Sequence, residues 1–317
     1  MREDTRLKSI FPTLRQALSL IMVLVLAFGC AKKDSAPAQT TFTSPEDAVV
    51  ALVDALKSND PAQLSHILGP DSGKILSSGD PVADKQAREV FLAAYAEKAD
   101  LETDGDHTIL SIGDEDWPVP IPLVKDGSNW RFDTAAGMQE VLFRRIGNNE
   151  ISTMQLCRAY VGAQKEYASR GHDGKAKGIY AQKFASSGSK HDGLYWKTDD
   201  PNDESPLGDL AAHAAADGYK KTDDKPTPFY GYYFRILTGR GKSAPGGALD
   251  YMVNGEMQKG FAMIAYPAEY KNSGVMTFIV DDKGTIYQKD LGTETAKLAG
   301  EIRVFDPDSS WEKAEAE

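Results

Sequence analysis

A block of short apolar runs in the C-terminal third of the chain constrains the fold more than any other feature. Within residues 229–291 the runs are rich in aromatic and β-branched residues, and short polar links containing Gly or Pro separate them. Links this short cannot form parallel crossovers, so neighbouring runs should pair as antiparallel strands. The runs that we assign to strands are residues 229–238, 260–267, 275–280 and 285–289.

One face of this sheet must be covered, and a helix over residues 151–168 is the candidate. Its side chains at spacings of three and four residues would lie on one helical face. The predicted covering residues are Ile151, Met154, Cys157, Tyr160, Val161 and Gln164. We therefore predict an α+β fold in which the C-terminal domain packs a helix on a four-stranded antiparallel sheet.

The preceding region carries three helix-start signals, each a capping residue followed by Pro. These signals are Ser44 with Pro45, Asp60 with Pro61, and Asp80 with Pro81, and we expect the third helix to bury Val90 and Phe91. Strands are predicted at residues 107–112, 119–124 and 130–132, followed by a helix at 134–146. Helices followed by short strands indicate a second α+β layer, with an N-terminal domain at 43–147 and a C-terminal domain at 148–305.

The first thirty residues resemble a secretion signal. Basic residues precede an apolar run from 17 to 28, which is too short to favour a spanning helix. The run ends at Leu26-Ala-Phe-Gly-Cys30, which is similar to a bacterial lipobox, so Cys30 is the predicted lipidation site. The alternative is ordinary secretion with cleavage near Ala38. Residues 31–42 contain few large apolar side chains, which predicts a flexible tether. Residues 306–317 are predicted to form a C-terminal tail.

Charge and cysteine content narrow the choice of partners. The net charge of −11, with no basic stripe, excludes nucleic acid as a partner. Membrane contact would then depend on the lipid anchor, and Ala31 after Cys30 resembles the sorting pattern of outer-membrane lipoproteins that face the periplasm. An envelope protein is a further expected partner. Cys157 has no remaining cysteine to pair with, and we interpret it as a small core residue.

A long insert at residues 170–228 separates the predicted helix from the sheet, and inserts of this length are often functional. Its polar and aromatic residues, with one tyrosine of the first strand, define a candidate ligand groove. The groove residues are His191, Asp192, Tyr195, Trp196 and Tyr232. The competing interpretation is that the aromatic side chains pack the insert onto the sheet and His191 forms local hydrogen bonds.

Other motifs do not meet the requirements of a catalytic or metal site. Gly241-Lys-Ser243 lacks the earlier Gly that a phosphate-binding loop requires, because that position is Ile236. Asp281 and Asp282 have the composition of a hairpin turn. The sequence therefore predicts no catalytic residue, metal site or cofactor. Arg144 and Arg145 could bind an anion or form an interdomain ion pair.

Several peptides carry a resemblance to a known family. They are Ser78-Gly-Asp-Pro-Val82, Pro120-Ile-Pro-Leu123, Arg144-Arg-Ile-Gly147, His191-Asp-Gly-Leu-Tyr-Trp196, Ser205-Pro-Leu-Gly208 and Lys289-Asp-Leu-Gly292. Their sequences are similar to those of the bacterial domain-of-unknown-function family 2950 (DUF2950). The resemblance implies a bacterial envelope protein and no known activity.

Two looser resemblances concern the fold alone. Ala163-Gln-Lys-Glu-Tyr167, Ala265-Tyr-Pro267 and Gly274-Val-Met-Thr-Phe278 resemble the globular part of pilins and pseudopilins. Leu56-Lys-Ser-Asn-Asp60 and Gly127-Ser-Asn-Trp-Arg-Phe132 are similar to small cone-like domains of bacterial lipoproteins.

Three functions follow as hypotheses. The preferred one is a non-catalytic, lipid-anchored envelope protein with a binding or assembly role, using the groove between sheet and insert. The second is an envelope hydrolase or sugar-binding enzyme that uses the region around His191. The third is a minor pseudopilin-like component of a secretion machine.

Overall fold

Two α+β layers joined by one long helix make up the described part of the chain. The computed structural model describes residues 39–200, 202–208, 210–211 and 227–314. The predicted signal peptide, Cys30 and residues 31–38 of the predicted tether lie outside these residues, as does part of the predicted insert. The α+β class predicted from the sequence is confirmed.

The N-terminal helices begin at the predicted caps. They are α1 (Pro45–Ser58), α2 (Pro61–Leu68), α3 (Gly73–Leu76) and α4 (Pro81–Glu97), with a 3₁₀ turn at Pro70–Ser72. Ser44 accepts a hydrogen bond from the Asp47 amide at the start of α1. Asp60 and Asp80 each accept two amide hydrogen bonds, at the starts of α2 and α4.

The first sheet is antiparallel, with strand order β1-β2-β4-β5 and β3 paired to β2. Its strands are β1 (Ala99–Asp104), β2 (His107–Ile112), β3 (Trp117–Pro118), β4 (Leu123–Asp126) and β5 (Asn129–Phe132). We did not predict β1, because its polar, mostly exposed residues lack the apolar alternation of a strand. The strand predicted at 119–124 is wrong in its bounds. Prolines at 118, 120 and 122 have no N–H to donate, so regular pairing starts only at Leu123.

Helices α1, α2 and α4 cover one face of this sheet and enclose a first hydrophobic core. Its largest fully buried members are Leu110, Ile112, Leu123 and Phe132. The prediction that Val90 points inward is wrong, since 69% of this side chain is exposed. Helix α4 contacts α1, β1 and β2 through its Phe91 and Tyr95 side, and Val90 lies outside that contact.

One helix, α5 (Thr134–Ser169), replaces the two helices that we predicted at 134–146 and 151–168. The side chain of Asp133 accepts the Ala136 amide at its start. The domain boundary predicted near residue 147 therefore falls within continuous helix. Across the described residues, every helix is too short or too polar to span a bilayer.

The second sheet is antiparallel, with strand order β14-β13-β12-β11-β6. Its strands are β6 (Tyr232–Leu237), β11 (Ala262–Pro267), β12 (Met276–Asp281), β13 (Ile286–Asp290) and β14 (Glu312–Lys313). Short strands β7 (Gly239–Arg240), β8 (Leu249–Asp250), β9 (Met252–Val253) and β10 (Glu256–Met257) form two small hairpins beside it. The four predicted strands are confirmed, and the C-terminal tail adds the fifth.

Helices lie on both faces of the second sheet. Helix α5 covers one face, where Cys157, Tyr160, Val161 and Gln164 are buried as predicted. Helix α6 (Thr295–Glu301) covers the other face. Ile151 is 53% exposed, so its assignment to the covering face is wrong. It lies on the side of α5 that turns away from the sheet.

The segment before α1 is attached to the first sheet. Phe42 and Trp130 exchange two backbone hydrogen bonds of 2.8 and 2.7 Å. The Gln39 side chain donates to the carbonyls of Ile67 and Phe132 at 3.0 and 2.8 Å. Residues 39–42, which the sequence assigned to the tether, are therefore bonded to the folded body: Phe42 extends the edge of the sheet, and Gln39 and Thr40 bond to the end of α2.

Candidate functional site

The insert places His191 in a cluster of aromatic rings at the C-terminal end of α5. The His191 ring lies 4.4 Å from the Trp196 ring and 6.2 Å from the His172 ring, measured between centroids. His172 in turn stacks on Tyr167 at 4.2 Å, with an interplanar angle of 23°. We call Tyr167, His172, His191 and Trp196 the histidine cluster. Its rings are in mutual contact, so they fill much of the space that a ligand would need.

Two carboxylates face the His191 ring. Nε2 lies 3.3 Å from Oδ2 of Asp203, and Nδ1 lies 3.9 Å from Oδ1 of Asp173. The backbone of the same residue is also held, since its amide donates to Asp173 at 2.9 Å and its carbonyl accepts from the Tyr167 hydroxyl at 2.6 Å. His191 therefore joins three parts of the insert to the end of α5.

Burial shifts the pKa values of His172 and Tyr167. It lowers the pKa of His172 below its usual value, because the charged ring loses solvent, and the Tyr167 carbonyl opposes the shift. Burial also raises the pKa of Tyr167 to about 12. Both residues are therefore neutral at pH 7.

Asp192 is adjacent to His191 in sequence but points to different partners. Its carboxylate accepts from the Lys183 ammonium and from the Ser187 amide, each at 2.7 Å. The hydrogen bond from Lys183, followed by that from Ser187, lowers the pKa of Asp192 to about 2. Asp192 thus closes a local loop within the insert.

The structure separates the remaining groove candidates. Trp196 is 6% exposed and belongs to the second hydrophobic core, which lies between α5 and the second sheet. Its ring N–H donates to the Asp203 carbonyl at 2.8 Å. Tyr195 is half-buried and pairs through its backbone with Phe184. The structure therefore brings Trp196 against His191, whereas Tyr195 bonds to Phe184 and Ser186 through its backbone.

Tyr232 lies elsewhere. Its hydroxyl donates to the Met276 carbonyl at 3.0 Å and approaches Glu150 at 3.5 Å. Glu150 and Tyr167 are seventeen residues apart on α5, which corresponds to about 25 Å of helix. Tyr232 and the histidine cluster therefore lie at well-separated levels of α5.

Sequence reasoning missed a polar junction between the two cores. The Arg145 guanidinium donates to the Lys74 carbonyl at 2.6 Å, to the Ile75 carbonyl at 2.8 Å and to the Asn272 side chain at 2.8 Å. Burial lowers the pKa of Arg145. At Arg145, carbonyl and amide oxygens of the chain itself take the place of the expected anion or interdomain ion pair. Arg144 does form an ion pair, but with Glu140 of the same helix, at 2.6 Å.

The junction continues on either side of Arg145. Asn149 donates to the Ser273 carbonyl at 2.9 Å, and Glu150 accepts the amides of Val275 and Met276 at 2.9 Å each. Asn272 donates to the Ser77 carbonyl at 3.0 Å. The signal in the sequence was the five polar residues among the seven at 144–150, a density that is unusual in the middle of a helix that is buried on one side.

A cleft opens beside the first core, between residues 40–42 and helices α1 and α2. Its volume is about 480 Å³, and it is a shallow depression that is open to solvent rather than an enclosed pocket. Its walls combine apolar and polar side chains from Thr40, Phe42, Ala51, Asp60, Ala62, Gln63, His66 and Ile67. This surface was not among the sequence candidates, because its residues are distributed over three short segments.

Cys157 is buried, and loss of solvent raises the pKa of its thiol to about 12, so the reactive thiolate is absent at neutral pH. Within the described ranges, His, Cys, Asp and Glu side chains form no group of three or more that could hold a metal ion.

These features define an α+β protein with two cores, a polar junction and a histidine cluster that fastens its insert. The chain belongs to the family described as Protein of unknown function (DUF2950), whose family model matches residues 39–314. No curated protein and no solved structure matches the chain.

Proposed function

We propose that this chain is a non-catalytic envelope protein, anchored by lipid at Cys30, with a binding or assembly role. The observation that carries the binding role is the cleft of about 480 Å³ beside α1 and α2. It has Phe42 and Ala51 for apolar contact and Asp60, Gln63 and His66 for polar recognition. The lipobox-like sequence at residues 26–30 supports the anchor and, with Ala31, an outer-membrane location facing the periplasm.

The state of His191 favours binding over catalysis. A general base needs an open approach for its substrate. The side chain of His191 is 31% exposed, but both ring nitrogens face carboxylates, those of Asp203 and Asp173, and the ring contacts Trp196. Its backbone is also held on both sides. This arrangement fixes the insert.

Two measurements test the proposal. Labelling of cells with an alkyne fatty acid should tag the native chain and not Cys30→Ser. A photo-crosslinking amino acid at Gln63, which lines the cleft, should give an adduct that the same amino acid at exposed Lys297 does not give. If the native chain is not labelled at Cys30, the proposed lipid anchor is wrong. If Gln63 and Lys297 give the same adducts, the cleft is not the binding surface.

The second candidate function is an envelope hydrolase or sugar-binding enzyme. The distance of 3.3 Å between His191 and Asp203 favours it, because a carboxylate can orient a histidine base. Hydrolysis of nitrophenyl esters or glycosides by the purified chain, abolished in His191→Gln and retained in exposed His107→Gln, would establish it.

A pseudopilin-like role is supported by the packing of the C-terminal half of α5 on an antiparallel sheet. This is an argument from fold alone. Specific crosslinks to components of a secretion machine would be required to establish it.

A further inference from the structure

The outer side of α5 carries large apolar residues that contact neither core. Phe143 is 76% exposed and Ile151 is 53% exposed. They lie four residues before and four residues after Gly147, so the three positions share one side of the helix. A Cβ added at Gly147 would meet no neighbouring atom within 4 Å. We call Glu140, Phe143, Gly147, Ile151 and Arg158 the outer stripe of α5.

The opposite side of the helix holds this stripe in place. Arg145 and Asn149 donate to carbonyl oxygens on both sides of the junction, and Glu150 accepts two backbone amides. Because these bonds fix the helix between the two cores, binding at the stripe would require little ordering of the backbone. A fixed, exposed apolar surface is typical of a protein interface.

The order of residues along the stripe indicates which partner fits. Phe143 and Ile151 are equally far from Gly147, so an antiparallel copy crossing at Gly147 would place each Phe143 against the partner's Ile151. A twofold interface requires this self-complementarity. The missing side chain at Gly147 would allow the two helices to approach closely.

Charge supports the same orientation. Glu140 lies at the N-terminal end of the stripe, where its carboxylate accepts from Arg144 of the same helix at 2.6 Å and its side chain is still 49% exposed. Exposed Arg158 lies at the C-terminal end. Antiparallel copies bring each glutamate toward the partner's arginine, whereas parallel copies would bring like charges together. We propose that two copies of this chain associate through the outer stripe of α5, antiparallel and crossing at Gly147. This inference depends on neither the lipid anchor nor the cleft.

Cysteine crosslinking in the full chain tests the crossing point. Each variant carries Cys30→Ser, so that the remaining native thiol is Cys157, which is buried. Gly147→Cys should form a disulfide-linked dimer under mild oxidation. Gly162→Cys is the matched control, because Gly162 is an exposed glycine of the same helix with no atom within 4 Å of an added Cβ. It should remain unlinked.

A mixed experiment tests the orientation. Phe143→Cys and Ile151→Cys should link to each other, but neither should link to itself. In the antiparallel pair, like positions are about 12 Å apart along the helix, and a disulfide needs Cα atoms within about 7 Å.

Sedimentation of the chain without added cysteines completes the test. At about 100 μM, we expect a mass of two chains in the parent and of one chain in Phe143→Asp, with unchanged circular dichroism. A single-chain mass for the parent would overturn the proposal, as would linkage of Gly147→Cys no faster than that of Gly162→Cys. Self-linkage of Phe143→Cys would overturn the antiparallel arrangement.

Discussion

The carboxylate of Asp80 accepts a hydrogen bond of 3.0 Å from the backbone amide of Gly231, although the two residues are 151 positions apart in the chain. Asp80 is fully buried. Its other oxygen accepts the amides of Val82 and Ala83 at 3.1 Å each, which caps α4. One side chain thus starts a helix of the first layer and fixes the loop before β6 in the second.

Replacement of Asp80 should cost more than replacement of an ordinary cap. Asp80→Ala removes two cap bonds and leaves the Gly231 amide without this acceptor, so we expect a loss of about 3 kcal/mol in the free energy of unfolding. Asp60→Ala is the control, because Asp60 caps α2 with the same two-amide geometry at an exposed position. Its expected cost is about 1 kcal/mol. Equal losses in urea titrations would show that the bond to Gly231 contributes nothing.

Gly231 should be far less replaceable than a glycine with the same backbone conformation. Its φ is +73°, and an added Cβ would lie 2.6 Å from the Asn149 side-chain nitrogen and 2.9 Å from the Ser273 Cβ. Gly247 has the same φ of +73° and open space around it. We expect Gly247→Ala to cost about 1 kcal/mol from backbone strain, and Gly231→Ala about 3 kcal/mol because the junction must also shift. Thermal melts of the two variants measure the difference, and similar melts would contradict the close packing.

Asp281 should destabilise the fold at neutral pH. Burial raises its pKa, so the folded chain binds a proton more readily than the unfolded chain. The free energy of unfolding contributed by this group therefore increases as pH falls through the raised pKa. Asp281→Asn keeps the oxygen that accepts the Lys283 and Thr285 amides. It should be more stable than the parent at pH 7 and equal to it at pH 3.

A matched turn provides the control for Asp281. Asp250 accepts the Met252 amide at 2.9 Å in a similar turn but is exposed. Asp250→Asn should therefore give no gain at pH 7. A gain of the same size in both variants would mean that burial at Asp281 is not the cause.

Acid should loosen the insert through His172. Because burial lowers its pKa below 6.5, the unfolded state binds the proton first. The stabilisation is complete above pH 6.5 and is lost as pH falls toward the folded-state pKa. The groups that face this ring are the Tyr167 carbonyl, His191, Arg170 and Asp173. Hydrogen exchange of residues 170–196, corrected for intrinsic rates, should accelerate between pH 7 and pH 5.

His172→Phe isolates that effect. The ring can still stack on Tyr167, so the insert should stay in place, and the acid dependence of its exchange should disappear. His107→Gln, at an exposed position of β2, should keep the dependence of the parent. If His172→Phe loosens with acid as the parent does, His172 is not the source of the acid dependence.

Local signals predicted much of the fold. The caps at Ser44, Asp60 and Asp80 located three helices, and short polar links located the antiparallel strands. What failed depends on distant contacts. We predicted a break in α5 near residue 147, but Arg145 and Asn149 bond to segments far away in sequence and the helix continues. The orientation of Ile151 likewise depends on where the second sheet contacts that helix.

The histidine cluster was predictable only where residues are close in sequence. Trp196 follows His191 by five residues, and their ring centroids lie 4.4 Å apart. Asp203 and Asp173 reach His191 through the folding of an irregular insert, for which no periodicity gives a direction. Tyr232 was grouped with them on composition, and the structure places it beside Glu150 instead.

The pairing of Phe42 with Trp130 has a mechanical consequence. Tension applied from the N-terminal direction reaches the edge of the first sheet before it reaches α1, because Gln39, Thr40 and Phe42 are all bonded ahead of that helix. Under load these few bonds would peel away in sequence and could form again, while both cores stayed intact. Residues 39–42 would then be the first part of the described chain to detach under load and to bind again.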